Sequence, residues 1–126
     1  MDLGANYTCL NVVDLEASID FYLKLDFKMV KDRRHEKWCV LQHNNLALSL
    51  YQGHIVETLI NFRGGDIAAI HKEATDRGLN FEKPAVHHPD GAWNATIRDP
   101  DGNCIFFNTF PDEREEYIEK GRLIDF

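Results

Sequence analysis

Hydrophobic and polar positions alternate in two different ways along this chain of 126 residues. Short stretches alternate at every second residue or are rich in β-branched side chains, and both patterns predict β-strands. Longer stretches place apolar residues three or four positions apart, which predicts helices with one buried face. Eight strands are predicted, at Tyr7–Val13, Phe27–Val30, Trp38–Gln42, Leu46–Tyr51, Leu59–Phe62, Leu79–Glu82, Trp93–Arg98 and Asn103–Thr109.

Three helices are predicted, and each has a recognisable first residue. Asp14 and Asp66 stand directly before an apolar stripe, where a carboxylate can accept from the unpaired amides of the first turn. The stripes are Leu15, Ile19, Tyr22 and Leu23, and then Ile67, Ile70 and Ala74, with Gly78 ending the second helix. A third helix begins at Pro111 and is closed by Gly121. Its apolar residues, Tyr117, Ile118, Leu123, Ile124 and Phe126, are expected to pack on the same domain, or else to cover a pocket or a partner subunit.

The order strand, helix and three strands occurs twice. The spacing from Asp14 to Asp66 is 66 − 14 = 52 residues, and that from Phe27 to Leu79 is 79 − 27 = 52. The pattern predicts an α+β fold of two tandem βαβββ modules, at about residues 5–52 and 57–110, followed by a tail helix at about 111–126. A half of this size is marginal alone, so residues 1–126 are predicted to form a single domain.

Composition narrows the class of protein. The chain has 14 Lys and Arg against 21 Asp and Glu, a net charge of −7, which argues against binding to nucleic acid. No apolar run approaches the roughly 18 residues of a membrane span, and the first residues do not resemble a signal peptide. We therefore expect a cytoplasmic location and no membrane partner. Cys9, Cys39 and Cys104 are far apart in the sequence, so neither a disulfide scaffold nor a cysteine zinc site is expected.

Two stretches of the chain carry a recognisable sequence pattern. The first is residues 11–22 followed by Leu25-Asp26-Phe27, and the second is Arg98–Phe107. Together they resemble the vicinal-oxygen-chelate superfamily of glyoxalases, bleomycin resistance proteins and extradiol dioxygenases. Trp38–Gln42 and the last stretch are most similar to bleomycin-resistance-like members. The resemblance implies two modules whose mixed sheets curl around a shared cavity, with the helices outside, often in a homodimer.

The resemblance also implies a divalent metal held by four side chains, typically His or Glu, one from each of four cavity strands. In this chain the corresponding positions are Tyr7, Ser49, Phe106 and a fourth near Glu57. Phenylalanine has no lone pair to give a metal, and serine is a rare ligand. We therefore predict no metal and no cofactor, and the sequence leaves open whether the protein is an enzyme.

Strand alternation predicts which side chains face the cavity, because neighbouring side chains point to opposite sides. Trp38 either stacks on a ligand or packs at a sheet end, and Cys9 fits a small buried hydrophobe better than a nucleophile. The tyrosines and Phe106 either grip a ligand or fill a closed cavity, while the amides and Thr96 either bind it or satisfy nearby backbone. The predicted ligand-binding residues are Tyr7, Cys9, Trp38, Ser49, Tyr51, Asn94, Thr96, Phe106 and Asn108.

The leading hypothesis is a metal-independent small-molecule-binding protein of the bleomycin-resistance type, which sequesters an aromatic or cationic compound. The alternative is an enzyme of the same superfamily, lyase-like or dioxygenase-like, with a displaced metal site or metal-free acid–base chemistry. A third interpretation is a structural or regulatory dimer whose cavity is filled by its own side chains. The run His87-His88-Pro89-Asp90-Gly91 is predicted to be a loop near the cavity mouth, since Pro-Asp-Gly favours a turn.

Overall fold

The same order of elements is found in each half of the chain. The computed structural model describes residues 1–121, so Leu123, Ile124 and Phe126 of the predicted tail lie outside the described residues. The order is βαβββ twice and then a helix, which confirms the predicted α+β class. The elements are β1 (Gly4–Asn11), α1 (Leu15–Leu23), β2 (Lys28–Arg33), β3 (Trp38–His43), β4 (Leu46–Tyr51), β5 (Leu59–Gly64), α2 (Ile67–Asp76), β6 (Lys83–His87), β7 (Trp93–Arg98), β8 (Cys104–Thr109) and α3 (Pro111–Lys120).

The described chain divides into two compact units, which we treat separately. The first unit consists of residues 7–59, and its strands have the order β2-β3-β4-β1. Strand β1 runs parallel to β4, whereas the β2–β3 and β3–β4 pairs are antiparallel. Helix α1 buries Leu15 and Ile19 against Leu41 and Leu50. We call the side of this sheet that packs on α1 the helix face, and the opposite side the non-helix face.

The second unit consists of residues 1–6 and the described residues from 60 onward, and its strands have the order β5-β8-β7-β6. Helix α2 buries Ile67 and Ile70 against Ala95, Ile97 and Phe107, which defines the helix face of this sheet. The side chains predicted to pack beneath the helices therefore do so. In the two units they are Leu10, Val12, Leu48 and Leu50, and Ala95, Ile97, Ile105 and Phe107.

Helices α1 and α2 are each capped by the predicted aspartate. Asp14 Oδ1 accepts a hydrogen bond from the Ala17 amide at 3.1 Å, and Asp66 Oδ1 accepts one from the Ala69 amide at 3.1 Å. Each bond satisfies one amide that the first turn leaves unpaired. The two aspartates, 52 residues apart, therefore cap their helices with the same hydrogen bond.

One predicted strand is wrong in position, and its equivalent in the first unit is confirmed with shifted bounds. Residues 79–82 are not a strand, and the strand of that part of the second unit is β6 at Lys83–His87. The reason is that Phe81 is used for packing: its ring lies 4.7 Å from that of His71 on α2 and joins the helix-face core. In the first unit the strand predicted at Phe27–Val30 begins at Lys28 and continues to Arg33.

A groove of about 390 Å³ opens on the helix face of the second unit. Ala74 and Leu79 line this groove, eight and thirteen residues after the cap Asp66. At the same distances after Asp14 the first unit has Tyr22 and Phe27, whose rings pack at 5.2 Å. The backbone there is the same, since Phe27 N donates to Tyr22 O at 3.1 Å and Leu79 N to Ala74 O at 3.0 Å. The groove therefore exists because smaller side chains occupy these two positions.

Replacing Ala74 by leucine is expected to stabilise the protein by about 1 kcal/mol, because the added carbons fill part of this groove. Equilibrium unfolding in urea measures the change. The matched control is Ala68→Leu, on the exposed side of the same helix, where we expect a change within about 0.5 kcal/mol. An Ala74→Leu protein no more stable than the control would contradict this account of the groove.

Helix α3 is attached to the second unit by polar contacts. The Arg63 guanidinium Nε lies 2.7 Å from Glu113 Oε2, and Arg114 Nη1 donates to Gly64 O at 3.0 Å. The Tyr117 hydroxyl donates to Asp2 Oδ1 at 2.7 Å, which lowers the pKa of the Asp2 carboxyl and raises the pKa of Tyr117. The part of the tail that the structure describes thus packs on its own half of the chain. None of the helices within residues 1–121 has the length and apolar content needed to cross a membrane.

Candidate functional site

Five of the predicted ligand-binding residues share the non-helix face of the first unit. In the strand register Cys9 pairs with Ser49, and Tyr51 pairs with Trp38. Their sequence neighbours point to α1, so these side chains point away from the helix. The five are Tyr7, Cys9, Trp38, Ser49 and Tyr51.

Ser49 is the buried polar residue at the centre of this face. It is 1% exposed, and within the described chain its hydroxyl has no hydrogen-bond partner. Its strand neighbours are Cys9, which is also buried, and Val40. A buried hydroxyl without a partner costs about 1–3 kcal/mol, so this oxygen favours a ligand group that can pair with it.

Trp38 and Tyr51 form an aromatic surface at one end of the same face. Their rings are stacked with centroids 5.8 Å apart and planes 23° apart. The Trp38 indole Nε1 donates to Glu36 Oε2 at 3.1 Å, and the Lys31 ammonium lies 5.3 Å from the centroid of the Trp38 ring. Both rings are half-buried. Trp38 therefore packs at the sheet end, as one sequence interpretation expects, and still exposes part of its ring.

The other four predicted residues share the non-helix face of the second unit. Asn94 pairs with Asn108 across β7 and β8, and Thr96 pairs with Phe106. The Asn94 amide donates to His88 Nε2 at 2.8 Å, so part of its hydrogen-bonding capacity is used within the protein. That the faces of the two units line one cavity stays a prediction.

Sequence reasoning missed Asn61, which organises this second face. Asn61 is 3% exposed, and its Nδ2 donates to Phe106 O at 2.9 Å and to Asn108 Oδ1 at 2.8 Å. The Asn6 amide in turn donates to Asn61 O at 3.3 Å. The repeat could have identified Asn61, because position 61 lies 52 residues after Cys9 and is therefore its equivalent in the second module.

The four positions at which the resemblance implies metal ligands do not fit a metal. Tyr7 lies seven residues before the cap Asp14, and the second cap, Asp66, places the fourth position at Leu59, two residues from the expected Glu57. The set is therefore Tyr7, Ser49, Leu59 and Phe106, which contains neither an imidazole nor a carboxylate. Such a set lacks the ligands that divalent metals take in proteins. Within residues 1–121, no three His, Cys, Asp or Glu side chains are grouped so that they could hold a metal ion.

The cysteines are buried thiols outside any disulfide. Burial raises the pKa of the Cys39 thiol to about 11, so it is protonated at neutral pH. Cys9 is 3% exposed, which favours the interpretation of this residue as a small buried hydrophobe.

The two adjacent histidines have separate roles. His87 ends β6 and its ring stacks on that of Trp93 at 4.5 Å, whereas His88 accepts from Asn94. The residues that follow form the predicted turn, in which the Gly91 amide donates to His88 O at 2.9 Å. The two imidazoles thus serve packing and hydrogen bonding within the second unit.

Comparison with protein families identifies the class of protein. The model of the Glyoxalase/Bleomycin resistance protein/Dioxygenase superfamily matches residues 4–107, and the chain belongs to this superfamily. A search of curated proteins finds no significant match.

Solved structures with the same fold have low sequence identity to this chain. A glyoxalase/bleomycin resistance protein/dioxygenase superfamily member from Vibrio splendidus 12B01 aligns with a TM-score of 0.61 at 16% identity, over 82% of this chain and 97% of that one. A protein described as NAD-dependent benzaldehyde dehydrogenase from Legionella pneumophila gives 0.67 at 16%, over 83% and 98%. A hypothetical protein from Bacillus halodurans C-125 gives 0.59 at 15%, over 83% and 94%. At this identity the likeness concerns the fold alone.

Proposed function

We propose that this chain is a metal-independent small-molecule-binding protein of the glyoxalase/bleomycin-resistance type, which sequesters an aromatic or cationic compound. One observation carries the proposal: Tyr7, Ser49, Leu59 and Phe106 occupy the four positions at which the family resemblance implies metal ligands. Without imidazole or carboxylate ligands there, a metal-dependent reaction at this site loses its support, and we favour binding of the compound itself as the activity.

The composition of the two non-helix faces supports a planar organic ligand. The first carries the Trp38–Tyr51 surface and the unpaired hydroxyl of Ser49, and the second carries Phe106 with amide and hydroxyl side chains. Ligand sites of proteins combine apolar and aromatic walls with a few polar groups in this way.

The test begins with metal analysis of the protein purified without chelator, followed by thermal unfolding with added Zn²⁺, Ni²⁺ or Mn²⁺, bleomycin or naphthalene derivatives. We expect substoichiometric metal, no stabilisation by the ions, and a raised Tm with at least one aromatic compound. A ligand at about 100 times its Kd stabilises the folded state by about 2.7 kcal/mol, which a thermal scan resolves. A stoichiometric metal lost on Ser49→Ala substitution would overturn the proposal and favour the enzyme alternative.

Trp38→Leu is expected to weaken binding of an aromatic ligand about five-fold, because a stacking contact worth about 1 kcal/mol is lost while the surface stays apolar. Isothermal titration measures the affinity. Phe21→Leu is the matched control, since Phe21 is a 59% exposed aromatic residue on α1 of the same unit. Equal affinities for the two variants would place the ligand away from Trp38.

A homodimer and a cytoplasmic location also stay proposals, and both follow from the resemblance and the composition. Light scattering of the purified protein measures the first, and a monomer at micromolar concentration would contradict it. Fractionation of expressing cells measures the second.

A further inference from the structure

Strand β2 presents three basic side chains on the non-helix face of the first unit. Lys28 pairs with Gln42, Lys31 with Val40 and Arg33 with Trp38. Residues 28, 31 and 33 share a face because a β-bulge between Met29 and Lys31 shifts the register. A bulge adds one residue to its strand, so the alternation changes phase there.

The acidic residue of the same strand is turned to the other side. Asp32 pairs in register with Cys39 on the helix face, and its carboxylate binds Arg34, with Nη2 at 2.7 Å from Oδ2. This contact lowers the pKa of Asp32 and keeps the carboxylate charged. In the described part of the chain Lys28, Lys31 and Arg33 make no ion pair. The face is therefore locally basic in a protein whose net charge is −7.

This basic column lies beside the aromatic surface. The Lys31 ammonium is 5.3 Å from the Trp38 ring centroid, and Arg33 is the register partner of Trp38. The Glu36 carboxylate accepts a hydrogen bond from the edge of the Trp38 indole. A compound stacked at Trp38 would thus meet two cationic side chains, while Glu36 is engaged at the ring nitrogen.

We propose that the ligand of this face is a planar aromatic anion, of which an aromatic carboxylate is the simplest example. Its ring packs on the Trp38–Tyr51 surface, and its carboxylate pairs with Lys31 and Arg33. The inference rests on the proposed function. Of the two classes of compound named there, it keeps the aromatic one, gives it a negative charge and rejects the cationic one. Charge complementarity is the reason, because a cation placed here would meet the same two side chains with repulsion.

Basic residues on an outer strand also discourage pairing between sheets, so the experiment must separate that role from ligand binding. Three probes of nearly the same shape differ in charge: naphthoate is an anion, naphthamide is neutral and naphthamidine is a cation. Titration calorimetry at low salt is expected to show naphthoate binding about ten-fold tighter than naphthamide, with naphthamidine weakest.

The variants K31Q and R33Q are expected to lose about ten-fold in affinity for naphthoate and to bind naphthamide as the parent protein does. The exposed Lys72 on α2 of the other unit supplies the control: K72Q should leave all three affinities unchanged. Equal affinities for naphthoate and naphthamide, or tightest binding of naphthamidine, would overturn the anion assignment and leave the proposed function standing. Failure of all three probes to bind would count against the proposed aromatic ligand itself, and the anion assignment would fall with it.

Discussion

Replacing Gly4 by alanine is expected to destabilise the protein by about 3 kcal/mol or more, one of the two largest effects that we predict. A Cβ atom at this position would lie 2.4 Å from the Arg63 carbonyl oxygen and 2.8 Å from the Gly65 amide nitrogen. Both neighbours are backbone atoms, so no side-chain rotation relieves the contact. The φ angle of +97° adds strain for any residue with a side chain. Urea unfolding followed by circular dichroism measures the loss.

Gly53→Ala is the control that separates the two causes. Gly53 has a φ of +84°, and a Cβ there would meet nothing within 4 Å. Its substitution should therefore cost only the backbone term, about 1–2 kcal/mol. If Gly4→Ala cost no more than Gly53→Ala, the close approach of residues 4 and 63 would not be a strong constraint.

Asn61→Ala is expected to cost about 2–3 kcal/mol of unfolding free energy, because two acceptors lose their donor at once. The amide of Asn61 binds the Phe106 carbonyl and the Asn108 side chain, and Asn61 is almost completely buried. Water has little access to replace these bonds. Urea unfolding measures this change too, with Asn80→Ala in an exposed connection as the control.

A double-mutant cycle shows whether the cost arises at the contact with Asn108. In Asn108→Ala the acceptor Oδ1 is absent, so the double variant should cost less than the sum of the two single variants by about 1 kcal/mol. Strict additivity would indicate that the Asn61–Asn108 hydrogen bond contributes nothing to stability, and the cost would then come from the Phe106 carbonyl alone.

Local signals in the sequence were sufficient for much of the fold. Asp14 and Asp66 correctly predict the starts of α1 and α2, because an N-cap needs only a side-chain acceptor and the next three residues. Alternation within a strand likewise assigns faces without knowledge of the partner strand. The strand expected at Leu79–Glu82 failed for the opposite reason: whether Phe81 pairs in a sheet or packs on His71 depends on the tertiary structure.

For the candidate site, the sequence predicts the sheet face of each residue, and the role of these residues in binding stays a prediction. The nine residues fall on the non-helix faces as the alternation of β1, β3, β4, β7 and β8 requires. Lys31 and Arg33 were missed because nothing local marks the bulge that changes their phase. Asn61 and Leu59 were missed although the spacing of 52 residues, applied to Cys9 and Tyr7, leads directly to them.

The bulge in β2 also has an evolutionary consequence. In a strand without it, simple alternation would place Val30 and Asp32 beside Lys28, and Lys31 and Arg33 would turn toward the helix. Lys28, Val30 and Asp32 would then give the non-helix face a net charge of zero. With the bulge, the face carries three positive charges. A one-residue insertion or deletion in β2 is thus enough to change the electrostatic character of this surface, with no amino-acid substitution on it. The charge of this surface can therefore change through the length of a single strand while the fold is kept.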